Sequence, residues 1–404
     1  MGILDKFFNQ TTTVDLVGGW STANSLSSSG AVVTSENALN LATVYACVNV
    51  KANALAKLPI NIYQKTDSGR IRVGDHAVAR LLETRPNPYM TPYVFKHTAQ
   101  VHRNIYGVAY VRMVFDRAGK PNALYLLNPT KVSVAVNEKD EYFYIEATDD
   151  KQKPNVYGEE EIIRLPYLTT DGFTPKSPIA VARETIGTLK KQQTFLGSFY
   201  SNGTLTRGVL KVPTALSKDA KEKVRQAWMD ANSGEDNASR IAVLDSGVEF
   251  NNISIPLNDA EFIASQKFGV EEIARIYNVP LSMINSLDRA TFSNIEQQSM
   301  DFVQNTLSPE LIAWEEELNY KLFTRLEQDK GFYVKFNLAS ALRGDSQSRA
   351  AYYKTMLESG VYSINEVRAL EEKDAIAYGD DHYRSLNFIT LDNQDYQRSK
   401  GGES

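Results

Sequence analysis

The chain has 404 residues, 42% of them hydrophobic, and 44 Lys and Arg against 49 Asp and Glu give it a net charge of −5. That length suits two or three domains at about 100 to 200 residues each, and the acidic balance excludes a protein that grips nucleic acid over a broad basic face. A single cysteine, Cys47, excludes an internal disulfide framework and suits a reducing compartment.

The N-terminal MGILDKFFNQ has no basic segment followed by an apolar run, and Lys6 stands where a myristoylation motif needs Ser or Thr. No apolar stretch approaches the roughly 20 residues of a membrane span, so the chain reads as cytosolic and soluble. Residues 1–38, crowded with Ser, Thr, Gly and Asn from residue 9 onward, read as a flexible arm. Residues 39–57 have apolar positions at helical spacing, and Leu58–Tyr63 then alternates as a strand does. A short helix over His76–Glu83 stops at Pro86 and Pro88, and Pro92–Asn104 is another helix. Val108–Phe115 and Asn122–Leu127 pair as a hairpin across DRAGKP. Short strands at Lys131–Val136, Glu141–Ala147 and Glu161–Pro166 complete an α+β region over 39–176.

The second half is mainly helical. A long helix runs from Pro178 to Ser201, with Ser177 as its cap and Pro178 at its first position. A compact α/β insert follows, with a strand at Gly208–Val212, a helix at Ser217–Ala231, and strands at Arg240–Leu244 and Val248–Ile253. A second long helix returns over Asp259–Asn278, and Pro280 ends it near Val279. Ser293 or Asn294 can cap a third long helix toward Glu327, which leaves Ser286–Phe292 projecting between two rigid elements. Ser308 and Pro309 interrupt that helix, so a kink or a restart is expected there. A strand at Phe332–Asn337, helices at Gln347–Ser359 and Ile364–Glu372, and a polar tail from 391 to 404 end the chain.

Catalytic and metal chemistry finds little support in this pattern. The four histidines are His76, His97, His102 and His382, and a five-residue step puts His97 and His102 on different helix faces, unlike a zinc helix. Asp380, Asp381 and His382 read as a solvated turn rather than cation ligands. Glu159–Glu161 and Glu315–Glu317 read as surface, and Cys47 as a buried structural thiol. No GxxxxGK[ST] phosphate loop occurs, so an ATPase would have to be a partner. Phe292 reads as an apolar anchor for the loop's base, and Tyr352, Tyr353 and Tyr362 as packing for the last helices.

Seven strings carry a resemblance in this order: TVYACVNVKANALAKLPINIY (43–63), RPNP (85–88), LLNP (126–129), SPIAVARETIG (177–187), FYSNG (199–203), VEEIARIYNVP (270–280) and TFSNIEQQSMDFV (291–303). LRGD (342–345) and YSINEVRALE (362–371) follow them. Together they resemble the portal proteins of tailed bacteriophages, the siphophage type, over residues 39 to 390.

The resemblance implies an α+β portal fold. Its wing is 39–176 and 295–345, the latter a long kinked helix and return strand, and its stem helices are 177–202 and 257–280. The clip is 203–256, the tunnel loop 281–294 and the crown 346–390. KDAIAYGDDH (373–382) departs from the family's Leu-Pro-Pro type turn in the crown.

The resemblance further implies a ring, usually of twelve subunits, at one capsid vertex of the virion, assembled in the host cytoplasm. Double-stranded DNA would pass through it non-specifically. Its partners would be the terminase large subunit, the head-tail adaptor, and the major capsid protein with its scaffold, and no cofactor or enzyme activity of its own is expected. Ser286, Leu287, Asp288, Arg289, Ala290, Thr291, Phe292 and Ser293 would then form the channel constriction. Arg289 would add a ring of cations, unless it pairs with Asp288 of a neighbour. Lys190 and Lys191 are further lining candidates that could offset Glu261, Glu271 and Glu272, the competing reading being a solvated face or ion pairs between subunits. The alternatives are a metal-dependent DNA-processing enzyme, or an adaptor or shell protein.

Overall fold

A computed structural model describes residues 15–16, 26–67, 69–139, 141–148, 153–201, 208–213, 215–232, 248–252, 259–284, 292–338, 346–371 and 373–382. The chain divides into a unit ending at Phe336 and a unit from Asn337 onward.

The first unit is built around two antiparallel sheets and the helices packed on them. Strands β4 (Val108–Phe115), β5 (Pro121–Leu127) and β9 (Ile162–Pro166) form one sheet in the order β5-β4-β9. The expected hairpin is present, with a bulge between Val114 and Phe115. A second sheet orders β1 (Asp15–Leu16), β6 (Val132–Val136), β7 (Tyr142–Glu146) and β8 (Asn155–Gly158). The two sheets share a core of Val108, Tyr110, Leu127, Val132, Val134, Tyr144, Tyr157 and Ile162. A third sheet places β12 (Phe332–Phe336) against β2 (Ile60–Thr66) and β3 (Gly69–Arg72), so a strand near position 334 closes onto the start of the fold.

Helices α2 (Ala42–Ala56) and α4 (Pro92–Tyr106), with the single turn α3 (Ala77–Ala79) between them in sequence, pack against each other, and Val44, Val48, Ala52, Leu55, Phe95 and Ala99 are buried. Thr91 caps α4 by accepting from Val94 N at 3.3 Å, with Pro92 at its first turn where a missing N–H costs nothing. Gly107 ends the helix at φ 81°, and a Cβ there would meet Lys176 O at 2.6 Å, so no other residue fits.

Residues 26–38 depart from the flexible-arm reading. Leu26 to Val32 make a small hairpin with Gly30 at φ 73°, and Thr34 and Asn37 form a capping box on α1 (Ser35–Ala38). Ala31 and Val33 are buried, so this segment contributes to the core although its composition resembles a tail.

The long helices are α6 (Arg183–Ser201), preceded by the single turn α5 (Pro178–Val181), and α8 (Asp259–Tyr277). Between them the described part of the insert is β10 (Gly208–Lys211) paired with β11 (Glu249–Asn252), plus α7 (Lys218–Asn232). The expected strand at Arg240–Leu244 lies outside the described residues. The third long helix begins at Phe292, two residues before the expected start, so Ser293 and Asn294 sit in its first turn rather than capping it. It comprises α9 (Phe292–Phe302), a π turn over Val303–Leu307, and α10 (Ser308–Leu322).

The interruption expected at Ser308 and Pro309 takes the form of that π turn, and proline chemistry explains it. Pro309 has no N–H and would clash with the carbonyl one turn back, that of Asn305. The wider turn, closed by Ser308 N donating to Val303 O, makes room for it. Glu315 and Glu317 are half-buried rather than simply on the surface. Glu315 accepts from Phe336 N at 2.8 Å and Glu317 from Arg164 N at 3.1 Å. Burial raises the pKa of both.

The short helix α11 (Arg325–Asp329) precedes β12 in the first unit, and the second unit holds α12 (Ser346–Glu358) and α13 (Ile364–Leu370), the latter capped by a Ser363–Glu366 box. Residues 373–382 fold around Asn365, whose Nδ2 donates to Ile376 O at 3.0 Å and to Asp380 Oδ1 at 2.8 Å. Tyr352 packs edge-on to Tyr362 with ring centres 6.4 Å apart.

Candidate channel segment and its anchors

Two antiparallel helices, α6 and α8, lead to the candidate constriction. Small and polar residues join them: Thr185 Oγ1 donates to Glu272 Oε2 at 2.6 Å and Gln192 Nε2 donates to Ser265 Oγ at 3.0 Å. Between these, Gly269 lies flat against Leu189, which lets the helices approach closely. Glu272 is therefore engaged by Thr185 rather than by a lysine.

The opposite side of α6 is covered by the N-terminal hairpin. At roughly 100° per residue, Gly187 lies about 200° round from Thr185. Ser28 donates from both N (2.8 Å) and Oγ to Glu184. Those bonds, the hydroxyl first, hold the Glu184 carboxyl below its usual range. Any Cβ on Gly187 would overlap Ser27 Oγ. Lys190 Nζ donates to Val32 O at 3.1 Å. Lys190, a candidate lining residue, thus holds the arm of its own chain, whereas Lys191 is exposed.

At the foot of α8, Asn278 adopts φ 53°, the left-handed geometry that ends a helix before Val279 and Pro280. Its Nδ2 donates to Asn305 O at 3.2 Å, the carbonyl that Pro309 cannot serve, and its own carbonyl accepts from Thr306 Oγ1 at 2.6 Å. Ser282 Oγ donates to Gln298 Oε1 at 2.6 Å. These bonds clamp together the two roots of the segment between Ile284 and Phe292. A cavity of about 280 Å³ lies at the clamp, with Ala274, Val279 and Phe302 lining it along with Arg275 and Asp301. Ser286, Leu287, Asp288, Arg289, Ala290 and Thr291 lie outside the described residues. Phe292 and Ser293 open α9.

The clamp rests on a buried ionic network. Lys51 Nζ meets Glu310 Oε1 at 2.6 Å and donates to Tyr167 OH at 3.0 Å and to the carbonyl of Tyr277 at 3.2 Å. Gln100 Nε2 donates to Glu310 Oε2 at 2.7 Å, and Gln100 Oε1 accepts from Trp314 Nε1 at 3.2 Å. Tyr277 OH donates to Asn104 O at 3.1 Å. Four helices, and Tyr167 just after β9, thus converge where α8 ends. Sequence reading missed this network, yet a lysine on the apolar face of α2, between Cys47, Val48 and Leu55, was a usable signal. Cys47 is fully buried, and burial pushes its thiol up to about 12 despite the nearby Lys51 ammonium.

The two histidines of α4 differ in their surroundings. His97 Nε2 lies 3.4 Å from Asn49 Oδ1, and His102 lies edge-on to Tyr106 with its Nδ1 buried and without a bond. Among the described residues, no group of three His, Cys, Asp or Glu is arranged to hold a metal, and no helix is long and apolar enough to cross a membrane.

The phage portal protein family model matches residues 42–372, from α2 to the end of α13. The chain belongs to that family. The probable portal protein of Streptomyces phage phiC31 is 30% identical over 366 residues, covering 88% of this chain and 79% of that one. The portal protein of Enterobacteria phage HK97 is 28% identical over 365 residues, covering 89% and 85%. Among solved structures, the neck of a native gene transfer agent particle computed with C12 symmetry superposes with a TM-score of 0.58 at 18% identity, covering 90% of this chain and 96% of that one. An HK97-family portal protein from Corynebacterium diphtheriae gives 0.58 at 15% identity, covering 78% and 98%. The α+β architecture is the portal fold.

Proposed function

We propose that this portal protein assembles as a ring, of twelve subunits, at one vertex of a capsid and forms the channel through which double-stranded DNA is packaged and later released. The observation that carries the reading is the family match, which runs unbroken across sheets, stem and terminal helices. The C12 symmetry of a structural neighbour supports the subunit number. In this reading α6 and α8 are the stem, and segment 285–291 with the start of α9 narrows the channel. The insert between α6 and α8 is the clip, docking the terminase large subunit and then the head-tail adaptor. The sheet region meets the major capsid protein and scaffold during assembly in the host cytoplasm.

Charge fits a conduit. Twelve chains at −5 give about −60, a field that salt screens beyond about 10 Å. A strongly basic lining would hold DNA that a motor must move, since each phosphate contact adds affinity. Arg289, repeated around the ring, supplies one circle of cations without such a grip. Electron microscopy of purified protein tests the reading: rings with a central hole wide enough for a duplex are expected, and a monodisperse monomer at high concentration overturns it. Metal-dependent cleavage of DNA by the purified protein would also overturn it, in favour of an enzyme.

A further inference from the structure

Strand β3 is an open edge. Its sheet runs β12-β2-β3, Gly69, Arg70, Ile71 and Arg72 are all exposed, and among the described residues no strand pairs with the far side of β3. One bond sets the direction of its backbone groups. Val73 N donates to Ile62 O at 2.9 Å, and bonded pairs alternate along an antiparallel ladder, so Gly69 and Ile71 turn their N–H and C=O groups toward β2. Arg70 and Arg72 turn theirs outward. The side chains of these two arginines share one face of the sheet, while Ile71, 52% exposed, lies on the other face with the core residues Ile62 and Val334.

The arginine face holds more positive charge than its neighbours balance. Lys65 stands directly across from Arg70, an arrangement that repulsion disfavours. Both cations lie over rings instead of carboxylates: Arg70 Cζ is 4.8 Å from the centre of Tyr63, Lys65 Nζ is 5.9 Å from that of Tyr333, and the two rings stack at 5.7 Å. Lys335 is exposed on the same face. Arg72 meets Glu83 at 3.1 Å and its side chain stays 57% exposed; among the described residues Glu83 is the only carboxylate in an ion pair with these four cations. We propose that β3 takes up an extended acidic peptide as a fourth strand, with two carboxylates opposite Arg70 and Arg72 and an apolar residue between them beside Ile71. Side chains two apart share a face, so the edge dictates this acidic-apolar-acidic pattern. A phosphate backbone offers acceptors alone and would leave the Arg70 and Arg72 carbonyls unserved. A second β3 edge is repelled by the same arginines.

Fluorescence anisotropy tests the added strand, with the full chain and a short fluorescein-labelled peptide carrying Glu-Val-Glu at its centre. Saturable binding is expected, and about tenfold weaker binding of a Lys-Val-Lys peptide, since two exposed ion pairs are exchanged for repulsion. Methylating the backbone nitrogens of the two glutamates, which donate to the Arg70 and Arg72 carbonyls in this arrangement, is expected to abolish binding. The double variant Arg70→Glu with Arg72→Glu is expected to keep the wild-type circular dichroism spectrum and to prefer the Lys-Val-Lys peptide. Equal binding of the methylated and unmethylated peptides means contact through charge alone and overturns strand addition, as does failure of the Glu-Val-Glu peptide to bind. Tighter binding of a single-stranded DNA oligonucleotide, lost in the same double variant, assigns the face to phosphate and overturns it too.

Discussion

Lys51 and Glu310 form a charge pair almost sealed from water, with side chains 3% and 9% exposed. Such a pair contributes little net stability, yet removing one partner leaves a charge buried alone, which costs about 3–5 kcal/mol. Glu310→Gln is therefore expected to lower stability by that order, read as a shift in the denaturation midpoint, with the network around Tyr277 loosened. His102 gives a pH dependence of definite sign. Burial brings its imidazole from 6.5 down to about 4, so between those values the unfolded chain binds a proton that the folded chain does not. Stability then rises with pH across that window and is lost as pH falls from 6.5 through 4. At about 1.4 kcal/mol per unit the loss reaches about 3 kcal/mol. His102→Leu is expected to flatten that part of the melting-temperature profile, and an unchanged slope would contradict this assignment.

Among the elements, the N-terminal hairpin shows most clearly what pattern reading misses. A Gly to Ala change inside a helix normally stabilises by about 1 kcal/mol. At Gly187 the new methyl group would displace Ser27, so Gly187→Ala is expected to release the arm and speed proteolysis within residues 26–34, with α6 itself intact. The periodic elements were legible: α4, the β4–β5 hairpin, α6 and α8 follow directly from apolar spacing, Pro at a first turn and Pro280 after a last one. The arm was not legible, because its order comes from burying Ala31 and Val33 and from bonds to Glu184 and Lys190, more than 150 residues away in sequence. Nor was the partner of Lys190 legible, since a lysine on a long polar helix carries no sign of which neighbour it will meet. The proline interruption was legible in position but not in form, because an α helix has more than one way to absorb a missing donor.

For the whole molecule, the proposed ring gives the clamp at the foot of α8 a part in keeping assembly separate from passage. The bonds from Asn278 and Ser282 tie the roots of the 285–291 segment independently of the residues between them. Deleting Ser286–Arg289 is therefore expected to leave ring assembly intact and to impair DNA packaging or retention, measured by electron microscopy and by nuclease protection of packaged DNA. Failure of assembly itself would make the segment a brace rather than a constriction. Family membership was legible from short strings spread along the chain, one of which ends at Asn278 and Pro280, where backbone geometry limits the choice of residue.

The π turn before Pro309 has a consequence for how this helix can change. It holds one residue more than an α-helical turn would need, and each residue advances a helix by about 100°. The azimuth of α9, and with it the direction in which Gln298 meets Ser282, is thus set by a single surplus residue. Loss of one residue between Val303 and Leu307 would act as a rotation rather than a break, re-aiming every side chain upstream while α10 keeps its seat in the core.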